Sequence, residues 1–432
     1  MTSSFTRTVR TREREPVLLA GVQLPPETDE GMHNSMEELA RLVDTVGGRV
    51  VDRTVQKRYA PDPGTFIGRG KAEEIAERIK ELGCNLVVFD NELSGGQQEN
   101  LEQILKARIV DRTGVILDIF AKHARSKEAK RQVEMATLQY VASRLTRRWT
   151  HLGRQKGGIG LRGLGEKQIE LDRRQIRTRI ARLKREVEHS AQDRATQRSH
   201  RDKFLRVAIV GYTNAGKSTL MNALTTAEVL VDDQLFATLD STVRIIDPKT
   251  RPPILLSDTV GFIKKLPHTL VASFRSTLQE VIEADLLLHV VDLSSPTYEE
   301  EIEVTKTVLE EIGAGSKPRM LVFNKVDQVK DFLLPKLLAR RHGAKQVISA
   351  LNPEDAKRLR EAIYEFFEKD MVEMTVIVPY SNTYLQSQVH QFSKVLETRY
   401  VDEGVCIKTR IMRADANRLK LADYVLVEEN TP

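Results

Sequence analysis

Residues 204–224 read FLRVAIVGYTNAGKSTLMNAL. The apolar strand pattern LRVAIV runs into Gly211-Tyr-Thr-Asn-Ala-Gly216-Lys217-Ser218, and a helical pattern opens behind it. This is G-x-x-x-x-G-K-[ST] in the strand–loop–helix setting that it requires. The glycines let backbone N–H groups turn toward phosphate oxygens at the positive end of the helix dipole. Lys217 is then expected at the β- and γ-phosphates, and the Ser218 hydroxyl on Mg²⁺. The stretch predicts a P-loop domain of α/β class with a mostly parallel sheet. P-loops are common, so the choice of base and the chemistry rest on residues further along the chain.

Three later segments supply them. SDTVGF (257–262) follows the apolar run PPILL and provides Asp-x-x-Gly. Asp258 is expected to hold Mg²⁺ through the ion's shell, and the Gly261 N–H to meet the γ-phosphate. RMLVFNKVD (319–327) sets Asn324, Lys325 and Asp327 behind another strand pattern. A carboxylate two residues past the lysine accepts from the guanine ring N–H and the exocyclic amine, donors that adenine does not offer together. A buried pairing left unmet discriminates by several kcal/mol. VISAL (347–351) adds Ser349 and Ala350, whose backbone is expected at the guanine oxygen. Four elements in this order predict GTP rather than ATP.

Between the first two lies DDQLFATLDSTVR (232–244), expected to be switch I. Thr238 and Thr242 are both candidates to close over Mg²⁺ when a γ-phosphate is present. Thr238 is preferred, which leaves Thr242 as a strand or turn residue. Lys217, Thr238 and Gly261 are thus the groups expected at the reacting phosphate. The residue after Asp-x-x-Gly is Phe262, where Ras-type enzymes place a Gln that orients the attacking water. A phenyl ring cannot position water. Intrinsic hydrolysis is therefore expected to be slow and partner-stimulated.

Working upstream, residues 17–110 alternate strand and helix patterns. VLLAGVQL (17–24), VVDRTVQ (50–56), NLVVFD (85–90) and RIVDR (108–112) are strand-like, separated by helical stretches. This predicts a small parallel sheet. From about Thr113 long helices take over. Leu138, Val141, Leu145 and Trp149 form one apolar stripe, and Ile169, Ile176, Ile180, Leu183 and Val187 a second. The loop between them, GRQKGGIGLRGLGEK (153–167), is too glycine-rich for a helix, so an antiparallel helical hairpin is expected.

Charge singles this hairpin out. The chain carries a net +6, yet residues 121–205 hold about 23 Lys or Arg against about 9 Asp or Glu. Gly158, Gly160 and Gly163 satisfy G-x-G-x-x-G, but no strand precedes them, so a dinucleotide site is not expected. A flexible connector is the plain alternative. The loop's Arg154, Lys156, Arg162 and Lys167 favour RNA contact, with Gly158 and Gly160 letting the backbone approach phosphates.

Downstream, MTVIVPY, VCIKTRI and YVLVEE surround one expected helix, SNTYLQSQVHQFSKVLE (381–397), in a small α+β segment. The expected division is a disordered tail over 1–16, an α/β domain over 17–112, the basic hairpin and linker over 113–203, the P-loop domain over 204–369 and the α+β domain over 370–432. No run of about 18 apolar residues appears, so no membrane insertion is expected. The N-terminus MTSSFTRTVRTRERE lacks the apolar core of a secretory signal. Cys84 and Cys406 are too few and too far apart for a disulfide framework or a zinc site, which fits a reducing cytosol.

GYTNAGKSTL, DQLFATLD, DTVGFIKKLPHTLVASFRSTLQE, FNKVD and, upstream, WTHLGRQKGGIGLRGLGEKQIELDRR resemble the HflX family of bacterial GTPases. The likeness runs from about Val17 into the C-terminal segment, where it is weakest. It implies a cytoplasmic, partly ribosome-bound GTPase that uses Mg²⁺ and binds the large (50S) ribosomal subunit and its rRNA. Its expected work is ribosome splitting or recycling, or translation under stress, with the hairpin reaching toward the peptidyl-transferase centre. A hydrophobic residue at the position of Phe262 is a trait of that family. The nucleotide ligands it implies are Gly211, Tyr212, Thr213, Asn214, Ala215, Gly216, Lys217 and Ser218 in the first loop, and Phe236, Ala237, Thr238, Leu239 and Asp240 in switch I. Asp258, Thr259, Val260 and Gly261 come next, then Asn324, Lys325, Val326 and Asp327, and finally Ser349, Ala350 and Leu351. Ser218 and Thr238 are the implied metal ligands. The expected partners are GTP or GDP and the large subunit, and a monomer is expected. Two other functions fit parts of the pattern. One is a non-catalytic RNA-binding module switched by GTP. The other is a membrane-surface signalling GTPase with the basic hairpin on anionic lipid, although the hairpin lacks an aromatic-anchored interfacial helix.

Overall fold

The structure is a computed structural model that describes residues 14–145, 173–190, 204–225, 235–236, 242–247, 251–265, 278–330, 337–338, 341 and 346–425. The chain divides into two compact units, residues 1–188 with 266–273, and residues 189–265 with 274–432.

In the first unit β1 (Glu15–Gln23), β2 (Gly48–Lys57), β3 (Leu86–Phe89) and β4 (Arg108–Asp111) form a wholly parallel sheet in the order β2-β1-β3-β4. Val17 to Val22 of β1 are all buried, as a strand covered on both faces requires. Between the strands run α1 (Asp29–Val46), α2 (Arg69–Leu82) and α3 (Gly95–Leu105). Thr28 caps α1 by accepting from the Gly31 N–H, and Gly47 ends it in the left-handed conformation at φ 92°. Ser94 and Gln97 make a reciprocal capping box on α3.

α4 (Arg112–His123) follows β4 directly, capped by Asp111, and packs against α1 and β4 with most of its length buried. The segment that the pattern grouped with the hairpin thus begins as a layer of the N-terminal sheet. α5 (Lys127–Arg144) buries Ala129, Gln132, Val133, Met135 and Ala136. The expected stripe is therefore displaced: Leu138 and Leu145 are only half-buried and Val141 is exposed, while Trp149 lies outside the described residues. α6 (173–190) buries Leu183, and Ile176, Ile180 and Val187 are half-buried. Ion pairs Arg131–Glu186 at 3.0 Å and Arg179–Glu134 at 2.7 Å advance along α5 as they retreat along α6, so the two helices run antiparallel.

In the second unit a six-stranded sheet has the order β10-β9-β8-β5-β7-β6. Its strands are β5 (Leu205–Gly211), β6 (Thr242–Ile245), β7 (Ile254–Asp258), β8 (Leu286–Asp292), β9 (Arg319–Asn324) and β10 (Gln346–Val347). All neighbours are parallel except β6, which runs antiparallel to β7. The helices are α7 (Lys217–Leu224), α8 (Gln279–Glu283), α9 (Tyr298–Glu311) and α10 (Pro353–Glu368). Val207, Ile209, Leu220, Leu224, Leu256, Leu288, Val322 and Ile363 belong to one buried cluster. After β5 the chain builds β6 and β7 on one side, then returns to build β8 on the other. The crevice at the C-terminal end of β5 is the switch point where open α/β sheets take ligands.

The same unit ends in β11 (Met371–Val378), α11 (Thr383–Phe392), β12 (Ser393–Val401), β13 (Gly404–Met412) and α12 (Arg413–Arg418). The strands form an antiparallel sheet in the order β11-β13-β12. The helix expected over 381–397 stops at Phe392. Ser393 turns extended (φ −135°, ψ 157°), its hydroxyl donates to the Val389 carbonyl at 2.6 Å, and KVLETRYV joins β13 instead. Among the described residues no helix is long and apolar enough to cross a membrane.

Candidate nucleotide site

The loop after β5 is shaped by its glycines. Gly211 has φ 149°, and a Cβ there would stand 2.2 Å from the Val290 carbonyl oxygen. Gly216 has φ 90°, and its Cβ would meet Asn324 Nδ2 at 2.2 Å. α7 begins behind Gly216 without a side-chain cap, and the N-terminus of a helix favours anions. Lys217 opens α7 and is buried, with Nζ donating to the carbonyls of Tyr212 at 2.6 Å and Gly211 at 3.2 Å. Burial lowers its pKa from 10.5 to about 8, against the pull of the Asp258 carboxylate. A cation desolvated in a ring of carbonyls gains from any anion that enters.

Asp258 ends β7 fully buried and accepts from the Ser218 hydroxyl at 2.6 Å. A hydroxyl beside a carboxylate is an oxygen set suited to a hard cation. Among the described residues no group of three or more His, Cys, Asp or Glu is placed to hold a metal alone. Thr259 donates its hydroxyl to the Ile209 carbonyl, and Val260 is buried. At Gly261 a Cβ would press on Thr213 at 2.8 Å and on Lys217 Nζ at 3.0 Å, so only glycine lets this backbone come so close. Phe262 then zips onto the first loop: its N–H donates to the Gly211 carbonyl at 3.1 Å, and its carbonyl accepts from the Thr213 N–H at 2.8 Å. The ring is 2% exposed, in the core. The Tyr212 hydroxyl accepts from the Lys264 N–H at 2.7 Å.

In the segment expected to be switch I, Phe236 is buried with φ 58°. Ala237, Thr238, Leu239 and Asp240 lie outside the described residues. Thr242 opens β6 opposite Asp258 in the ladder, as a strand residue.

Three loops converge beyond Gly216. Asn324, buried at the end of β9, donates from Nδ2 to the Ala215 carbonyl and accepts at Oδ1 from the Ala350 N–H, both at 2.9 Å. One amide side chain thereby ties the first loop to the last. Lys325 is left-handed at φ 61° and starts the 3-10 turn Val326–Gln328, on which Asp327 is exposed. The Val326 N–H donates to the Ile348 carbonyl. Leu351 is exposed. Two carboxylates that sequence reasoning passed over support these loops. Asp355 accepts from the Ser349 N–H at 2.8 Å, and Asp292 pairs with Lys325 at 2.7 Å. The only sequence signal for Asp292 was its place at the end of an apolar run. Arg154, Lys156, Gly158, Gly160, Arg162 and Lys167 of the hairpin loop lie outside the described residues.

Family models match three successive stretches: "GTP-binding GTPase N-terminal" over 33–121, "GTP-binding GTPase Middle Region" over 123–201 and "50S ribosome-binding GTPase" over 206–325. A protein from Gluconacetobacter diazotrophicus named GTPase HflX is 44% identical, over 93% of this chain and 96% of its own. The chain belongs to the HflX family of GTPases. The Escherichia coli HflX is 43% identical, over 91% of this chain and 93% of its own. A solved GTP-binding protein from Sulfolobus solfataricus in complex with GDP is similar at 25% identity and a TM-score of 0.44, covering 81% of this chain and 98% of its own. This HflX-family chain binds guanine nucleotide and hydrolyses GTP.

Proposed function

We propose that this GTPase cycles on and off the large ribosomal subunit in the cytoplasm, as a monomer, and that the subunit accelerates its otherwise slow hydrolysis. The observation that carries this reading is Phe262. Its ring is buried and its backbone is tied to Gly211 and Thr213, so the position after Asp-x-x-Gly offers no group to orient water. Ribosome splitting or recycling under stress is the work that the family resemblance suggests for such a cycle.

In this reading the amides of Gly211 to Ser218 cradle the phosphates, and Lys217 stabilises charge that develops on the β- and γ-oxygens. The Gly261 N–H and Thr238 sense the γ-phosphate, with Phe236 to Asp240 closing over the nucleotide. Asn324 to Asp327 and Ser349 to Leu351 hold guanine. Ser218 and Thr238 would ligate Mg²⁺, which supplies charge neutralisation between the phosphates when bound. With the chain divided into tail, α/β domain, basic hairpin, P-loop domain and α+β domain, the positive charge of the hairpin supports its reading as an rRNA-reaching arm. Pelleting with purified large subunits tests it. More protein should sediment with a non-hydrolysable GTP analogue than with GDP, and changing Arg154, Lys156 and Arg162 together to Ala should lower the bound fraction about tenfold or more through lost phosphate contacts. A triple variant that pellets like the parent contradicts the arm's role.

A further inference from the structure

We infer that Asp292 is a positioning residue for base recognition, holding Lys325 so that the turn behind it presents Asp327 to guanine. The inference rests on the guanine site proposed above. Asp292 ends β8 and stands opposite Asn324 in the parallel ladder, so its side chain leaves the sheet beside the loop that begins at Lys325. Its two oxygens are divided. Oδ1 accepts from the Ser294 N–H at 3.0 Å and hydroxyl at 2.5 Å, which fixes the carboxylate, while Oδ2 takes Lys325 Nζ at 2.7 Å. The two side chains are 15% and 20% exposed, unlike the solvated pairs whose contribution water and entropy erase.

Lys325 needs such a hold. Its left-handed φ of 61° is a conformation that an unbranched L side chain adopts only when its surroundings over-determine it. The backbone bonds from Leu293 N–H to the Asn324 carbonyl and from Val326 N–H to the Ile348 carbonyl fix the turn on either side. Asp292 fixes it in the middle. With that grip gone, Lys325 can relax toward the ordinary helical region, and the exposed Asp327 two residues on swings with it. Asp292 itself faces lysine and serine, and it acts on the base only through Lys325.

The test compares the affinities of full-length parent, Asp292→Asn, Asp292→Ala and Asp327→Ala proteins for GDP and IDP. IDP lacks the exocyclic amine, so the ratio of its Kd to that of GDP reads the hold of Asp327 on that amine. Asp292→Asn keeps the size and an oxygen for Ser294, removes the charge on Lys325, and carries the test should the alanine variant not fold. The ratio is expected to fall about fivefold or more in both Asp292 variants, and toward one in Asp327→Ala. An unchanged ratio in Asp292→Asn while Asp327→Ala collapses it overturns the positioning role alone. Equal weakening of both nucleotides also overturns it, because a scaffold defect would do that. An unchanged ratio in Asp327→Ala overturns the guanine reading, and this inference with it.

Discussion

Lys217 shows how much of the site resides in single groups. With carbonyls around it and little water, its pKa is about 8 in place of 10.5. Between those two values the folded chain holds fewer protons than the unfolded one. The penalty for charging Lys217 is therefore fully present below pH 8, and stability rises as pH climbs through the window. Phosphate reverses the shift by favouring the ammonium. Above pH 8, GDP binding must then take up a proton, and affinity should drop as pH rises from 8 to 10. Calorimetry across that range, with Lys217→Ala as the control that removes the slope, checks the sign; a flat profile in the parent contradicts it. His289 has a matching signature. Burial in β8 pushes its pKa down from 6.5 to about 3, so it stays neutral in the fold while the unfolded chain charges, and stability is lost as pH falls from 6.5 toward 3. The glycines, Lys217 and the Asn-Lys-x-Asp run were legible in sequence because their chemistry is local. Asp292 and Asp355 were not, because their partners come from strands and loops that only the sheet brings together.

At the scale of elements, packing decided where pattern failed. Only the first half of α5 lies in the apolar layer. Its second half is tied by polar anchors: the Tyr140 hydroxyl donates to Asp111 Oδ1 at 2.8 Å, and Arg144 pairs with Asp111 Oδ2. A hydrophobic stripe read by spacing cannot see an aspartate 33 residues upstream that serves as the clamp. Likewise, Ser393 to Glu397 were expected to continue the helix yet are better satisfied in a strand, because β13 offers them a ladder. The strand runs of the N-terminal parallel sheet and the P-loop between β5 and α7 followed from runs and punctuation. The helix ends and the buried ionic cluster did not. That cluster fixes α4: Arg112 is 2% exposed and pairs with Glu38 and, at 2.7 Å, with Asp90. Removing Arg112 takes the guanidinium away from two buried carboxylates, at a cost of about 3–5 kcal/mol. Arg112→Ala should shift urea unfolding of the full chain to lower concentration without altering GDP affinity. An unshifted midpoint would show that the cluster is not holding the helix.

Across the whole molecule the charge distribution and the site chemistry point the same way. The strongly basic segment is confined to the hairpin region, while the rest of the chain carries a net negative charge. A polyanion is thus drawn to one place. The nucleotide site binds and hydrolyses GTP, yet the position that would orient water holds a buried phenylalanine tied into the P-loop. In the function proposed here, the partner that the hairpin reaches is the one that completes catalysis. The direct test is single-turnover GTP hydrolysis by the full chain, alone and with saturating purified large ribosomal subunits. A slow reaction alone and acceleration of about 100-fold or more with subunits are expected, within reach of what a partner-supplied group contributes. Hydrolysis that is already fast alone, or that large subunits leave unchanged, would contradict it.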